Sequence, residues 1–194
     1  MTSATLRGLA AATLSLALMS APLAAFAATD TMPKPVTVGG APMYANKNIV
    51  ENAVNSKDHT TLVAAVKAAG LVDTLSGKGP FTVFAPTNTA FNGLPKGTVD
   101  TLLKPENKKT LTNVLTYHVV AGRYDATALL ELIEKSGGKA MLKTVEGKDL
   151  TVTKTASGGI HVTDAKGDVA TVTVADVYQS NGVIHVVNKV LLPM

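Results

Sequence analysis

The sequence predicts an α+β domain, because its two halves carry different hydrophobic periodicities. Up to about residue 135, apolar residues recur at helical spacing around one strand-like run, residues 81–85. After residue 138, short runs rich in β-branched residues alternate with turn signals such as Asn181-Gly182. Helices and strands segregated in this way indicate helices packed against a mainly antiparallel sheet.

The first half is organised around residues 81–91, FTVFAPTNTAF. Residues 81–85 alternate with the period of a strand and are mostly aromatic or β-branched. Pro86 has no N–H to donate, so we expect the strand to end there. Thr87 and Asn88 follow, and their side-chain oxygens can cap a helix that begins at this point.

Further helices are expected on both sides of this strand, because start and stop signals flank each periodic segment. The residues expected to begin or cap them are Asn48, Asp58 or Thr60, Thr98, Pro105 and Asp125. Gly70 is expected to end the helix that begins near residue 60, in a left-handed conformation. Gly137-Gly138 should end the last helix.

The second half contains five β-like runs, at residues 140–144, 149–154, 159–163, 169–174 and 183–192. Turn signals separate them, and Asn-Gly between apolar runs is a strong hairpin signal. The last run is apolar on both of its faces, so we expect it to be covered on both sides.

Residues 1–27 are expected to be a secretory signal peptide. Arg7 is the only charged residue before Asp30, a run rich in Leu and Ala follows, and residues 25–27 match an A-x-A cleavage site. The alternative is a retained membrane anchor, but the apolar run is shorter than the ~20 residues of a spanning helix. We therefore expect no membrane span after cleavage. Residues 28–45, rich in Pro, Gly and Thr, are expected to be a flexible linker or a frayed end, and residues 46–193 the domain.

Composition excludes several classes of site. The 194 residues include no Cys, so disulfides and thiolate metal sites are impossible. Arg7 and Arg123 are the only Arg residues, which argues against dedicated nucleic-acid recognition because Arg provides the forked phosphate contact. The net charge of +4 gives at most a weak, salt-screened attraction to anionic surfaces. The basic run Lys104, Lys108 and Lys109 is interpreted as a solvated helix end, with acidic-polysaccharide binding as the weaker alternative.

Three blocks of the sequence resemble, in order, the signature blocks of the fasciclin domain, an extracellular adhesion module. They are residues 81–91, Tyr117-His118 and residues 181–193 (NGVIHVVNKVLLP). The resemblance implies a wedge-shaped antiparallel β-sandwich with helices packed along one side, and adjacent central strands from the first and last blocks. It also implies a secreted or periplasmic protein that recognises a cell-surface or extracellular protein or polysaccharide.

Tyr117-His118 has two interpretations. In animal members of the family this dipeptide, with aliphatic flanks, is linked to adhesion through integrins, and Leu115 and Val119 supply such flanks here. We favour the alternative that both rings lie inside, with their polar atoms hydrogen bonded. His185 lies on the strand that is expected to be covered on both sides, so we expect it to be structural too. The family-motif candidates for binding or scaffold roles are Thr87, Asn88, Tyr117, His118 and His185.

The sequence contains no pattern typical of a catalytic, cofactor or metal site. The four His lack metal-ligand spacing, no Ser lies in a G-x-S-x-G turn, and the paired glycines lack phosphate-loop spacing. A metal site would have to be assembled from distant residues such as His118 and His185. We therefore expect a monomeric, non-enzymatic adhesion or binding module without a cofactor. The alternative is a small-ligand binder or carrier of the cell envelope, with its ligand in a cleft between the helices and the sheet.

Overall fold

A computed structural model describes residues 34–193. The helices in this range are α1 (Ile49–Ala53), α2 (Thr60–Ala69), α3 (Val72–Ser76), α4 (Asn88–Asn92), α5 (Thr98–Leu102), α6 (Lys108–Tyr117) and α7 (Ala126–Lys135). The strands are β1 (Val36–Val38), β2 (Ala41–Met43), β3 (Phe81–Pro86), β4 (Val119–Ala121), β5 (Lys139–Lys143), β6 (Asp149–Lys154), β7 (Ile160–Thr163), β8 (Val169–Gln179) and β9 (Gly182–Val187). The expected signal peptide, residues 1–27, lies outside the described residues.

Most of the predicted helix boundaries are confirmed. Asn48 caps α1 in a capping box with Glu51, and the Asp125 side chain caps α7. Gly70 ends α2 in the left-handed conformation, with φ of 73°. Pro105 opens a single 3₁₀ turn that leads into α6. Among residues 34–193, no helix has both the length and the apolar character needed to cross a membrane.

Seven strands form one sheet in the order β4-β3-β9-β8-β7-β6-β5. The predicted adjacency of the first and last sequence blocks is confirmed, because β3 pairs with β9. This central pair is parallel, whereas its neighbours along the sheet pair antiparallel, so the expectation of an antiparallel sandwich holds everywhere except at its centre. A parallel pair requires a long crossover, and most of the domain lies between the two strands.

The alternating side chains of β3 and β9 face two separate cores. Val83 and Ile184 belong to the core that contains the buried faces of α1, α2 and α6. Phe84 and Val187 belong to the second core, which α7 and strands β5 to β8 complete. A bridge between Val120 and Thr144 brings the edge strand β4 to the end of β5, so the sheet curls around this second core. All six residues of β9 are buried, which confirms the prediction that this strand is covered on both sides.

Two strands differ in length from their predicted runs. β8 continues to Gln179 instead of ending at Val174, and its register with β9 shifts twice on the way. Asp176 adopts φ of 58° within the irregular part, which interrupts the two-residue period that marks a strand. β9 ends at Val187, before the expected residue 192, although Val190 and Leu191 remain buried beyond it.

The expected linker, residues 28–45, differs from the structure in its second part. Residues 36–43 form the antiparallel hairpin of β1 and β2, which turns at Gly39-Gly40. Val38 and Met43 are buried in the first core. Strands of three residues are too short to show a period, so the Pro- and Gly-rich composition suggested a linker instead.

Candidate binding site

The two residues that follow β3, Thr87 and Asn88, contact the starts of helices α4 and α2. Thr87 caps α4 as predicted, since its Oγ1 accepts a hydrogen bond from the Ala90 N–H at 3.2 Å. Asn88 does not cap α4. Its Oδ1 accepts from the Thr61 N–H at 3.0 Å, and its Nδ2 donates to the Lys57 carbonyl at 2.8 Å. Asn88 therefore supplies the cap of α2 that was expected from Asp58 or Thr60.

Tyr117 is fully buried at the end of α6. Its hydroxyl donates to the Asp149 carbonyl and accepts from the Ala165 N–H, both at 3.0 Å. Burial raises the pKa of the phenol, and the Ala165 N–H acts in the opposite direction. The phenol therefore stays neutral at physiological pH and connects the start of β6 to the loop between β7 and β8.

His118 is 2% exposed, and both of its ring nitrogens are occupied. Nδ1 lies 2.8 Å from the Val114 carbonyl, and Nε2 accepts the Leu191 N–H at 2.9 Å. These partners require the neutral tautomer with its proton on Nδ1. Burial lowers the pKa of His118 to about 4, although the Val114 carbonyl and Asp164 favour the charged form. The ring is thus neutral, and its nitrogens are unavailable as a base or as a surface contact.

His185 is also fully buried, and its ring stacks on Phe84 with centroids 5.7 Å apart. Nε2 lies 2.7 Å from the Tyr124 carbonyl, and Nδ1 accepts the Asp176 N–H at 3.4 Å. Burial lowers the pKa of His185, and the Tyr124 carbonyl is the strongest opposing influence. Within residues 34–193, no three His, Asp or Glu side chains gather as a set of metal ligands.

An apolar cavity of about 50 Å³ lies between the helices and the face of β3 and β9 that belongs to the first core. His59 lines it and is 3% exposed. Its Nδ1 lies 2.9 Å from the Ser56 hydroxyl, whereas Nε2 has no hydrogen-bond partner among the described residues. Burial lowers the pKa of His59, and the Ala85 backbone and Asp58 oppose that shift.

A second, open cleft has a volume of about 660 Å³ and lies at the end of the domain where β3 and β9 begin. Asn48, residues 76–80, Arg123, Ser180 and Asn181 line it. Sequence reasoning did not identify this cleft. The available signal was that Arg123 is the only Arg within residues 34–193, but nothing in the sequence indicates that it lines a cleft together with Lys78.

Comparisons with known proteins agree with this architecture. Residues 57–193 match the family model described as the fasciclin domain. Protein sll1483 of Synechocystis sp. is 48% identical over 172 residues, which cover 89% of this chain and 88% of that protein. Cell surface glycolipoprotein MPB83 of Mycobacterium bovis is 31% identical over 164 residues, which cover 82% of this chain and 66% of that protein.

A solved structure shares the fold. The FAS1 domain pair of the insect cell adhesion molecule Fasciclin I aligns with a TM-score of 0.68 over 81% of this chain and 57% of that chain, at 17% sequence identity. The family match extends over most of the described residues. The first signature block forms β3 and most of α4, Tyr117-His118 lies at the end of α6, and the last block contains β9. The chain therefore belongs to the fasciclin domain family.

Proposed function

We propose that this protein is an exported, non-enzymatic binding module that attaches to a protein or polysaccharide of a cell surface, extracellular matrix or cell envelope. The observation that carries the proposal is the burial of Tyr117, His118 and His185, whose polar atoms are all hydrogen bonded inside the domain. Groups shielded in this way cannot reach a substrate as acids, bases or nucleophiles. Recognition then falls to exposed loops and strand edges.

The relatives support an extracellular setting. One is named a cell surface glycolipoprotein, and the structural neighbour belongs to a cell adhesion molecule. Cleavage of residues 1–27 would release the domain to the periplasm or the medium. Mass spectrometry of the exported protein tests this step: a chain that begins at Ala28 is expected, and an intact Met1 would contradict it.

The exposed edge of the sheet favours a monomer. Strand β5 lies at the end of the sheet, and its outward residues are Lys139, Met141 and Lys143. Lys side chains on an edge strand discourage pairing with a second copy. We expect sedimentation equilibrium to give the monomer mass over the micromolar range, and a concentration-dependent dimer would refute this part of the proposal.

Binding to surfaces is tested with fluorescently labelled exported protein, intact cells and envelope fractions. Saturable binding without turnover of envelope material is expected. Two results would contradict the proposal: the absence of saturable binding, or an enzymatic activity that a folded His118 or His185 variant loses. Heat-unfolded protein is the control for adsorption.

A second candidate function is a small-ligand carrier, which the apolar cavity beside His59 favours. Its volume of about 50 Å³ is far below the roughly 300–1,000 Å³ of drug-sized ligand pockets, so only a ligand of a few atoms would fit without rearrangement. Native mass spectrometry of the exported protein separates the two functions. A carrier should retain a ligand of defined mass, whereas the binding module should show the mass of the polypeptide alone.

A further inference from the structure

Two cations face the open cleft, and no carboxylate lines it. Lys78 and Arg123 are exposed, and the other lining residues are Asn48, Ser76, Gly77, Gly79, Pro80, Ser180 and Asn181. Within residues 34–193, neither cation forms an ion pair, since the salt bridges there join Lys135 to Glu131 and Lys154 to Glu134. Positive charge in a concave surface attracts anions more strongly than the same charge on a flat one.

The floor of the cleft is fixed before any ligand arrives. Asn181 Nδ2 donates to the carbonyls of Leu75 at 2.8 Å and Gly77 at 3.0 Å, and its Oδ1 accepts from the Ile49 N–H at 3.1 Å. The Phe81 N–H donates to the Asn181 carbonyl at 3.0 Å. Three segments are therefore tied to one residue, two through its side chain and one through its backbone carbonyl, and binding in the cleft does not have to order a loop.

Arg123 is oriented but keeps most of its donors. Its Nη2 donates to the Gln179 carbonyl at 3.1 Å, and this is its one side-chain hydrogen bond among the described residues. A guanidinium has five N–H donors in a planar fork. One anchored nitrogen therefore leaves a fork that can hold both oxygens of a carboxylate.

Neutral polar groups complete the lining. The Ser76 and Ser180 hydroxyls and the Nδ2 of Asn48 make no hydrogen bond within residues 34–193. The side chain of Glu51, the carboxylate closest in sequence to Asn48, accepts from the Asn48 N–H at 2.8 Å and does not line the cleft. Hydroxyls and amides beside a cationic fork suit a ligand that carries one acidic group and several hydroxyls.

We propose that this cleft binds a carboxylated sugar unit of an acidic polysaccharide, with the carboxylate on Arg123 and Lys78 and the sugar hydroxyls on the Ser and Asn side chains. The inference rests on the proposed function, because it names the chemistry of the surface component. A volume of about 660 Å³ accommodates one to two sugar rings, by comparison with pockets of roughly 300–1,000 Å³ for drug-sized ligands.

The test titrates the full exported protein with trigalacturonate, with the neutral trisaccharide maltotriose and with inorganic sulfate. NMR follows the Nε–H signal of Arg123, which is simple to assign because Arg123 is the only Arg after residue 27. Trigalacturonate should shift this signal and bind saturably. Arg123→Gln should weaken binding about tenfold, and Lys78→Gln, which breaks no hydrogen bond among the described residues, roughly threefold.

Lys96→Gln is the matched control, because it removes the same charge from an exposed site outside both the cleft and the basic run of Lys104, Lys108 and Lys109. This control should leave the affinity for trigalacturonate unchanged. Arg123→Lys should bind more tightly than Arg123→Gln but more weakly than the natural protein, because an ammonium lacks the fork. The inference is overturned if Lys78→Gln and Lys96→Gln weaken binding equally, if maltotriose or sulfate binds as well as trigalacturonate, or if trigalacturonate does not bind. Thermal unfolding of each variant separates these effects from misfolding.

Different results would contradict the assignment of the cleft and the proposed function. If Arg123→Gln still binds cells and envelope fractions like the natural protein, the cleft is not the binding site, although the protein remains a binding module. If the natural protein binds trigalacturonate but no surface at all, the cleft assignment stands and the proposed function is wrong.

Discussion

The backbone N–H of Leu191 donates a hydrogen bond to Nε2 of His118 over 2.9 Å, although 73 positions separate the two residues in the chain. The Nδ1 of the same ring is bonded to the Val114 carbonyl within α6. A single buried imidazole thus connects the end of α6 to the segment that follows the last strand. Replacing the ring removes both connections at once.

His118→Ala should lower the free energy of unfolding by about 3 kcal/mol, because it leaves two buried backbone groups unsatisfied and opens a cavity. His161→Ala is the control, since His161 is only partly buried on β7 and should change stability by about 0.5 kcal/mol or less. Urea unfolding followed by circular dichroism measures both. Surface binding per folded molecule should be unchanged in both variants. A fully stable His118→Ala that has lost binding would instead place the ring at the interface.

Stability should fall as the pH is lowered from 6.5 to 4. His118 has a pKa of about 4 in the folded protein and 6.5 when unfolded, so between these values the unfolded chain binds more protons. The contribution of this residue is fully present above pH 6.5, and roughly 3 kcal/mol is lost as the pH falls through 4. His59 and His185 are shifted in the same direction and should steepen the decline.

Urea unfolding between pH 7.5 and 4 measures this dependence. Because desolvation is the main cause of the His118 shift, 0.5 M salt should leave the slope largely intact. His118→Ala should have a shallower slope than the natural protein. A variant that keeps the full slope would show that other groups produce it.

Asn88→Ala should destabilise the protein by about 1–2 kcal/mol, because it removes the cap of α2 and leaves the Thr61 N–H without its partner. Asn92→Ala, at an exposed position of α4 with no side-chain hydrogen bond among the described residues, is the matched control. Thermal unfolding compares the two. Equal melting temperatures for both variants would show that the link between α2 and α4 adds nothing to stability.

Asn88 also shows which features a sequence predicts. The caps of α1 and α7 were predictable because each cap and its helix are neighbours in the chain. The α2 cap was not, because Asn88 lies 27 positions beyond the N–H that it accepts. Local signals specify where elements begin, whereas the partners of Asn88 and His118 exist only after distant segments pack together.

The same distinction applies to the strands and the cleft. The central pair β3 and β9 was expected from the family resemblance, and the apolar pattern predicted that β9 is buried on both faces. The bulged end of β8 was missed because Asp176 breaks the period, and the hairpin of β1 and β2 because its strands are short. Arg123 and Lys78 line one cleft only because β4 pairs antiparallel with β3, which brings the segment after β4 beside the turn before β3, a tertiary arrangement with no local signature.

Gly79→Ala should destabilise the protein by about 3 kcal/mol, because a Cβ at this position would lie 1.9 Å from the Asn181 carbonyl oxygen. Relief by a small shift is prevented, since the Asn181 side chain is bonded to the Leu75 and Gly77 carbonyls. Gly93→Ala is the control: its Cβ would lie 3.3 Å from the Ala90 carbonyl, and φ of −73° suits any residue. Urea unfolding should therefore show a large loss for Gly79→Ala and a change of about 1 kcal/mol or less for Gly93→Ala. If both variants unfold at similar urea concentrations, the loop below the cleft is free to move, and the floor of the cleft that Lys78 and Arg123 line is not rigid.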